Sequence, residues 1–300
     1  MEIIGAFACS HAGLIATRRE RAPAAQEQHV YDAFARAERV IAALRPDALL
    51  IIATDHMRAF PLAGVPTFTV GVGPLARGLG DGGLAPCEVP VHQPLSRSLL
   101  TTAIADGFDV CFTEDVRIDH SFVMPLMALT PALDVPIAPV TINCNVPPRP
   151  TYERAYAFGT ALRRGIDALP GGRVVVVATG GLSHWVGSDE RRALMNRPPG
   201  TRLAELDRVP MGLGDTGPIN EEFDRGVLAA VGCGELPTFL ADWPPERLEA
   251  EAGNGAHELR NWLVLSGLLG DAPGEVLAYE PVSEWLTGTA VVRFPVLSPA

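Results

Sequence analysis

The chain lacks three features that would place it in common functional classes: paired cysteines, clustered positive charge and long apolar runs. Its five cysteines are widely spaced and form no Cys-X-X-Cys pair, which is typical of reduced thiols rather than of a disulfide framework. No leader-like segment precedes them, so we expect a cytoplasmic protein. No apolar run approaches the length of about 20 residues that a membrane-spanning helix needs, so no membrane partner is expected.

The charge pattern excludes another group of partners. The 300 residues carry a formal net charge of −11, and the arginines are scattered along a chain that contains no lysine. This pattern argues against binding to nucleic acid or to an anionic membrane surface. The negative charge favours a small or neutral partner. Alternatively, the acidic residues serve only solubility.

An alternation of apolar strands and amphipathic helices occupies most of the chain. Hydrophobic residues make up 47% of it, which is enough for a substantial core. Strands are predicted at 3–8, 49–53, 67–72, 109–112, 135–143 and 173–178, and helices at 24–44, 94–106, 152–168, 219–230, 244–250 and 257–268, with a helix or turn at 123–129. The order predicts a single α/β domain over residues 1–300, with a mainly parallel mixed sheet flanked by helices.

Two stretches are expected to be irregular. Residues 71–90 are dense in glycine and proline, which predicts a long loop over the pocket. Residues 196–217 are polar and rich in glycine, which predicts an irregular or partly mobile segment.

Four histidines lie where apolar strands run out. His56 and His184 follow the strongest strands, His11 follows a short apolar run at the start of the chain, and His120 lies in the segment RIDHSF. Side chains at the carboxyl ends of parallel strands point into the crevice where such sheets bind ligands. Each histidine alone has a plain interpretation as a hydrogen-bonded core residue, but their joint placement indicates a site. We assign no role to the other histidines, His29, His92 and His257, beyond orientation of a neighbour by His257.

The residue types at these positions suit a metal centre. Two histidines and one carboxylate commonly hold a divalent metal and leave positions open for substrate. His11 and His56 are the candidate histidines, and Glu258 is the candidate carboxylate, unless it is simply a favourable charge at a helix start. His120 and His184 are flanked by small or turn-forming residues and suit proton transfer, although spacing alone does not separate these roles.

Six segments, in register, carry a resemblance to a known family. They are ACSHAGLI, DHMRAFPLAGVPTFTVGVG, IDHSFVMPL, TGGLSHW, AGNGAHELRNWL and YEPVSEWLTG. The chain resembles, over nearly its whole length, the extradiol ring-cleaving dioxygenases of the type that includes protocatechuate 4,5-dioxygenase. Each motif is weak by itself, but the ordered set is fairly specific.

The resemblance implies a non-haem Fe(II) enzyme that inserts both atoms of O2 beside the hydroxyls of a catechol. It implies His11, His56 and Glu258 as iron ligands, His184 as the acid/base and His120 as its partner near the substrate. A homo-oligomer follows from the same analogy. Two alternatives stay open: a zinc-dependent hydrolase that uses the same ligand types, and a non-catalytic relative.

The chain departs from the family pattern in three places. Ser121 stands where a glycine is common, Trp185 follows the GGLSH motif where a polar residue is expected, and residues 191–217 match poorly. The indole of Trp185 either reshapes the ring pocket or packs as an ordinary aromatic. Asp55 and His257 adjoin proposed ligands, and either they orient those ligands or they face solvent.

Overall fold

The fold alternates strands and helices along most of the chain. The computed structural model describes residues 1–202 and 217–295. The strands are β1 Glu2–Cys9, β2 Ala48–Ala53, β3 Phe68–Gly71, β4 Leu75–Gly78, β5 Cys87–Pro90, β6 Cys111–Thr113, β7 Val116–Ile118, β8 Ile137–Ile142, β9 Arg173–Thr179, β10 Glu275–Val282 and β11 Thr287–Phe294. The α-helices are α1 Gly13–Thr17, α2 Ala24–Leu44, α3 Gln93–Ala105, α4 His120–Leu129, α5 Tyr152–Asp167, α6 Asp189–Met195, α7 Glu221–Cys233, α8 Leu236–Ala241, α9 Pro245–Ala252 and α10 Leu259–Leu269.

Eight strands form the central sheet, in the order β10-β11-β1-β9-β2-β8-β3-β6. The inner strands β1, β9, β2 and β8 run parallel to one another, whereas β11 is antiparallel to β1 and β3 is antiparallel to β8. The predicted single-domain α/β fold with a mixed, mainly parallel sheet is therefore confirmed. Because β1, β9 and β2 are parallel neighbours, their carboxyl ends meet at one edge of the sheet.

Helices cover both faces of this sheet, which explains the uninterrupted apolar runs of the inner strands. All six residues of β2 are buried. Leu50 and Ile52 belong to the core under α3, α5 and α10, whereas Leu49 and Ile51 belong to the core under α2 and α4. Each fully buried aliphatic side chain stabilises the fold by roughly 1.5–3 kcal/mol, so these strands anchor the sheet.

The prediction of a loop over residues 71–90 is wrong in part. Strands β4 and β5 lie within it and form a small second sheet with β7, in the order β5-β4-β7. Ala76 and Val89 are fully buried there, and Pro90 is tolerated because it stands at a strand end. The connection between β4 and β5 remains a loop.

The carboxyl-terminal hairpin β10–β11 has no counterpart in the sequence prediction. Strand β11 is almost entirely buried against β1 and extends the main sheet. Of the segment predicted to be irregular, residues 203–216 lie outside the described residues, and α6 ends at Met195, just before it. Within residues 1–202 and 217–295, no helix has both the length and the apolarity to span a bilayer.

Candidate metal centre and active site

The four strand-end histidines converge on one cavity. His11 follows β1, His56 follows β2, His184 follows β9, and His120 is the first residue of α4 after β7. All four line a cavity of about 380 Å³, as does Glu258. The structure therefore brings together every residue that the sequence proposed for the site, at the sheet edge where the inner strands end.

Hydrogen bonding fixes which nitrogen of His11 faces the cavity. The hydroxyl of Thr179 donates to the carbonyl oxygen of Ser121 at 2.9 Å, so its oxygen accepts from Nδ1–H of His11 at 3.0 Å. This leaves Nε2 with a free lone pair. Nε2 is buried, has no hydrogen-bond partner among the described residues, and lies 3.2 Å from Oε2 of Glu258. Burial lowers the pKa of His11, which favours the neutral imidazole that a metal requires.

Asp119 orients His56 in the same way. Its Oδ2 accepts from Nδ1–H of His56 at 2.9 Å and from the backbone N–H of His56 at 2.8 Å. Nε2 of His56 then faces Oε1 of Glu258 at 3.1 Å. Burial lowers the pKa of His56, but the carboxylates of Asp119 and Glu258 outweigh it and raise that pKa well above its usual value. Carboxylates behind a ligating histidine are a usual feature of metal sites.

Glu258 is fully buried between these two imidazoles. It precedes α10 and makes no side-chain cap there, so the interpretation as a simple helix-start charge does not describe its contacts. The backbone N–H of Gly181 donates to Oε2 at 3.1 Å. Gly180 has a φ of +111°, and a Cβ at that position would lie 2.7 Å from Oε2. Burial raises the pKa of Glu258, but the charges of His11 and His184 and the hydrogen bonds of His11 and His56 lower it well below its usual value.

The donor set fits a divalent metal. Two imidazole nitrogens face the two oxygens of one carboxylate, and the lone pair of His11 Nε2 has no proton to accept from the described residues. Nitrogen and oxygen ligands of this number suit iron, zinc and similar ions. A ring nitrogen of His120 also lies within 4.8 Å of ligand nitrogens of His11 and His56. The structure therefore contains a possible histidine-rich metal site, without deciding the ion.

Asp81 holds His120, and sequence reasoning missed it. Its two oxygens accept from Nδ1–H of His120 at 2.6 Å and from the backbone N–H of the same residue at 2.9 Å. Asp81 lies in the loop between β4 and β5 and also lines the cavity. The imidazoles of His120 and His56 are 4.3 Å apart between ring centroids. No motif marked Asp81, because it comes from a glycine-rich loop 39 residues before His120.

His184 presents its other nitrogen to the cavity. Nδ1–H donates to the carbonyl oxygen of Leu182 at 3.0 Å, so Nε2 is the lone-pair nitrogen. Nε2 lies 3.6 Å from Oε2 of Glu258. The His184 side chain is 13% exposed, and an imidazole lone pair beside the candidate metal site is able to accept a proton from a bound ligand.

Four residues singled out in the sequence, as neighbours of proposed ligands or as departures from the family pattern, make no side-chain hydrogen bond to the candidate ligands within the described part of the chain. They are Asp55, His257, Ser121 and Trp185. Asp55 accepts backbone N–H groups of the loop after His56, including those of Ala59 and Phe60, and so holds that loop. His257 is buried between Glu249 and Arg260. The direct partners of the candidate ligands are instead Thr179 and Asp119. Ser121 is buried behind Asp119, and Trp185 is a half-buried wall of the cavity.

Asp119→Asn is expected to weaken metal binding by about 10- to 100-fold, the usual cost of removing a carboxylate behind a ligand histidine. Burial raises the pKa of Asp119, but His120 and His56 lower it below its usual value, so the native group is an anion. The amide keeps the shape and loses that charge. Metal titration of the purified variant measures the change, with Asp115→Asn, an exposed carboxylate, as control. Equal affinity in the variant and the native protein would contradict the assignment.

Asp224 is a further buried carboxylate, and it supports the loop that carries His184. Asp224 accepts from the backbone N–H of Ser183 at 2.7 Å, from its hydroxyl at 2.9 Å and from the Tyr279 hydroxyl at 2.9 Å. Burial raises the pKa of Asp224 to about 7, although these hydrogen bonds lower it. Because Ser183 directly precedes His184, this cluster fixes the backbone from which the His184 side chain extends.

The raised pKa of Asp224 predicts a pH-dependent difference in stability. The folded protein binds this proton more tightly than the unfolded chain does, so stability is lost as the pH rises from about 4 through about 7. The asparagine side chain of Asp224→Asn cannot ionise, so this variant is expected to lose less stability over the same pH range. Between pH 4 and pH 8 the variant should gain on the order of 3–4 kcal/mol relative to the native protein. Urea unfolding at both pH values measures the difference, and a pH-independent difference would contradict the prediction.

Comparison with known proteins identifies the family of the chain. An α/β fold with a histidine–carboxylate group at the carboxyl edge of its sheet is typical of an enzyme with a metal site. The family described as the catalytic LigB subunit of aromatic ring-opening dioxygenase matches residues 5–294, and the chain belongs to this family. It is therefore a ring-cleaving dioxygenase. The family resemblance noted in the sequence is thus confirmed.

Curated relatives and a solved structure extend the comparison. A protein of Cupriavidus pinatubonensis named 2,3-dihydroxyphenylpropionate/2,3-dihydroxicinnamic acid 1,2-dioxygenase is 31% identical, over 86% of this chain and 90% of that protein. A protein of the same name from Paraburkholderia xenovorans is 32% identical, over 82% and 84%. The crystal structure of the uncharacterized protein JW3007 from Escherichia coli K12 covers 97% of this chain and 99% of that one, with a TM-score of 0.52 and 14% identity. This last similarity supports the fold alone.

Proposed function

We propose that the protein is a non-haem Fe(II)-dependent extradiol dioxygenase that cleaves a catechol-type aromatic ring and inserts both atoms of O2. The observation that carries this proposal is the arrangement of His11 Nε2 and His56 Nε2 against the two oxygens of Glu258 at the cavity wall. Two histidines and one carboxylate with open positions are typical of non-haem Fe(II) oxygenases. The names of the curated relatives support an aromatic diol as substrate.

The chain supplies positioning and proton transfer around that reaction. When bound, the iron lowers the pKa of the diol hydroxyls and provides the electronic route between ring and O2. Nε2 of His184 accepts a hydroxyl proton of the substrate and later returns it to an oxygen of the product. Asp81 holds His120 against the substrate side of the cavity. Trp185 and Trp285 line the cavity and contribute apolar surface to its wall.

Two further attributes belong to the same proposal. We place the enzyme in the cytoplasm because its five cysteines are all free, and Cys9 and Cys144 are buried. We also propose that it assembles as a homo-oligomer, by analogy with its family. Light scattering of the purified protein tests this assembly.

Oxygen uptake with a panel of catechols tests the main proposal. The protein is loaded with Fe(II) without oxygen, and uptake is followed together with the ultraviolet and visible spectrum of the product. We expect equal consumption of O2 and diol, a coloured ring-opened product, and both atoms of ¹⁸O2 in it. Absence of uptake with every catechol would contradict the proposal. Stoichiometric zinc with hydrolytic activity would favour the hydrolase alternative, and absence of both metal and turnover would favour a non-catalytic relative.

A further inference from the structure

A buried guanidinium lies on the wall of the same cavity. Arg191, in α6, lines the cavity together with the four histidines and Glu258. Only 4% of its surface is exposed. Its Nη1 is buried and has no hydrogen-bond partner within residues 1–202 and 217–295. A buried arginine nearly always has such partners, because removing its charge from water is costly.

The contacts of this guanidinium do not compensate its charge. Nη2 lies 3.5 Å from Sδ of Met57, a thioether sulfur that is a weak acceptor. Burial lowers the pKa of Arg191, and the nearby positive charge of Arg58 lowers it further. Burial and the charge of Arg58 both disfavour the cation, and a bound anion beside the Arg191 guanidinium would offset them.

The position of Arg191 is built into the backbone. Gly187, another residue of the cavity wall, has a φ of +78°, and a Cβ there would lie 2.9 Å from Cδ of Arg191. The backbone N–H of Arg191 donates to the hydroxyl of Ser188 at 3.2 Å, which fixes the first turn of α6. A larger residue than glycine would displace the arginine side chain from the cavity wall.

The acidic groups of the cavity already have partners elsewhere. Asp81 binds His120 and lies 3.8 Å from Nε of Arg58, whose side chain is 44% exposed. Glu258 faces the imidazoles of His11 and His56. Neither carboxylate is described as a partner of Arg191. The cavity therefore has a metal-binding region of histidines and Glu258, and a cationic region of Arg191 and Arg58.

We propose that Arg191, assisted by Arg58, binds a carboxylate group on the aromatic substrate and so selects acidic catechols. The planar guanidinium matches a carboxylate in a two-point contact, which fixes orientation as well as charge. Because Arg191 and the four histidines line one cavity, a carboxylate bound at Arg191 leaves the histidine region of that cavity for the diol. This inference rests on the proposed function, because it assigns the substrate of that site.

Binding of ligands that lack a diol tests the inference without turnover. Calorimetric titrations compare benzoate, phenylacetate and 3-phenylpropionate with their neutral amides, using the native protein without added iron. We expect at least one acid to bind about 10- to 100-fold more tightly than its amide, the range for a charge-assisted hydrogen bond pair. Arg191→Met should abolish this preference and Arg191→Lys should keep part of it. Arg163→Met removes an exposed arginine of α5 and should leave it unchanged.

The outcomes separate this inference from the proposed function. If no acid binds the native protein better than its amide, the inference is overturned whether or not Arg191→Met folds. Equal weakening of acids and amides by Arg191→Met would also overturn it. If acids are preferred but no catechol consumes O2, the carboxylate site stands and the dioxygenase proposal fails. With turnover, Arg191→Met should raise KM for carboxylated catechols and leave kcat nearly unchanged.

Discussion

Glu258→Gln is expected to empty the metal site and to reduce turnover by more than about 1,000-fold, because it removes the only anionic ligand of the proposed set. The two oxygens of Glu258 face Nε2 of His11 and Nε2 of His56 at 3.2 and 3.1 Å. Glutamine keeps the volume of the side chain but offers one oxygen and one amide group. The amide would donate to an imidazole lone pair and occupy the position that a metal needs.

Metal content after iron loading and dialysis measures this prediction, with oxygen uptake on the same sample. Glu280→Gln is the matched control, because it removes a carboxylate that pairs with His29 outside the cavity. His11→Ala and His56→Ala should lose metal as Glu258→Gln does. Full metal content in Glu258→Gln would mean that the ion is held by the histidines alone, with His120 as the third ligand.

The convergence of the candidate site was predictable from strand order. His11, His56 and His184 are far apart in sequence, yet each follows a parallel strand, and parallel strands end at one edge. No loop geometry is needed for that conclusion. The β10–β11 hairpin was not predicted, although Thr287–Phe294 is rich in the β-branched residues that favour a strand. The two strands form one edge of the main sheet.

The partners that orient the imidazoles were beyond the reach of the sequence. Asp81 and Thr179 meet His120 and His11 only after a loop and a strand end have been placed to within a hydrogen-bond length. Asp119 carried a partial signal, since a carboxylate before a helix is a common cap, but capping does not reveal contact with a histidine 63 residues earlier. Arg191 lies at the start of the region that matches the family poorly, so no motif identified it.

His184→Gln is expected to keep the metal and to lose about 100- to 10,000-fold in kcat, the usual contribution of a positioned general base. Nε2 of His184 lies 3.6 Å from Glu258, and the ring donates a hydrogen bond to Leu182 and packs against Gly255. Glutamine fills the same space and donates or accepts hydrogen bonds, but it does not take up a proton near neutral pH. Proton transfer from the substrate is therefore removed while the metal ligands stay in place.

Metal content and single-turnover kinetics on one preparation separate the two roles. His184→Gln should bind iron and catechol as the native protein does and should then convert the substrate slowly. His29→Gln, an exposed histidine on α2, controls for the substitution itself. Loss of iron from His184→Gln would indicate that His184 is a metal ligand. A kcat equal to that of the native protein would show that His184 has no role in proton transfer. We expect retention of iron with slow conversion. Nε2 of His184 lies 3.6 Å from Oε2 of Glu258, farther than Nε2 of His11 and Nε2 of His56 lie from their facing oxygens, at 3.2 and 3.1 Å.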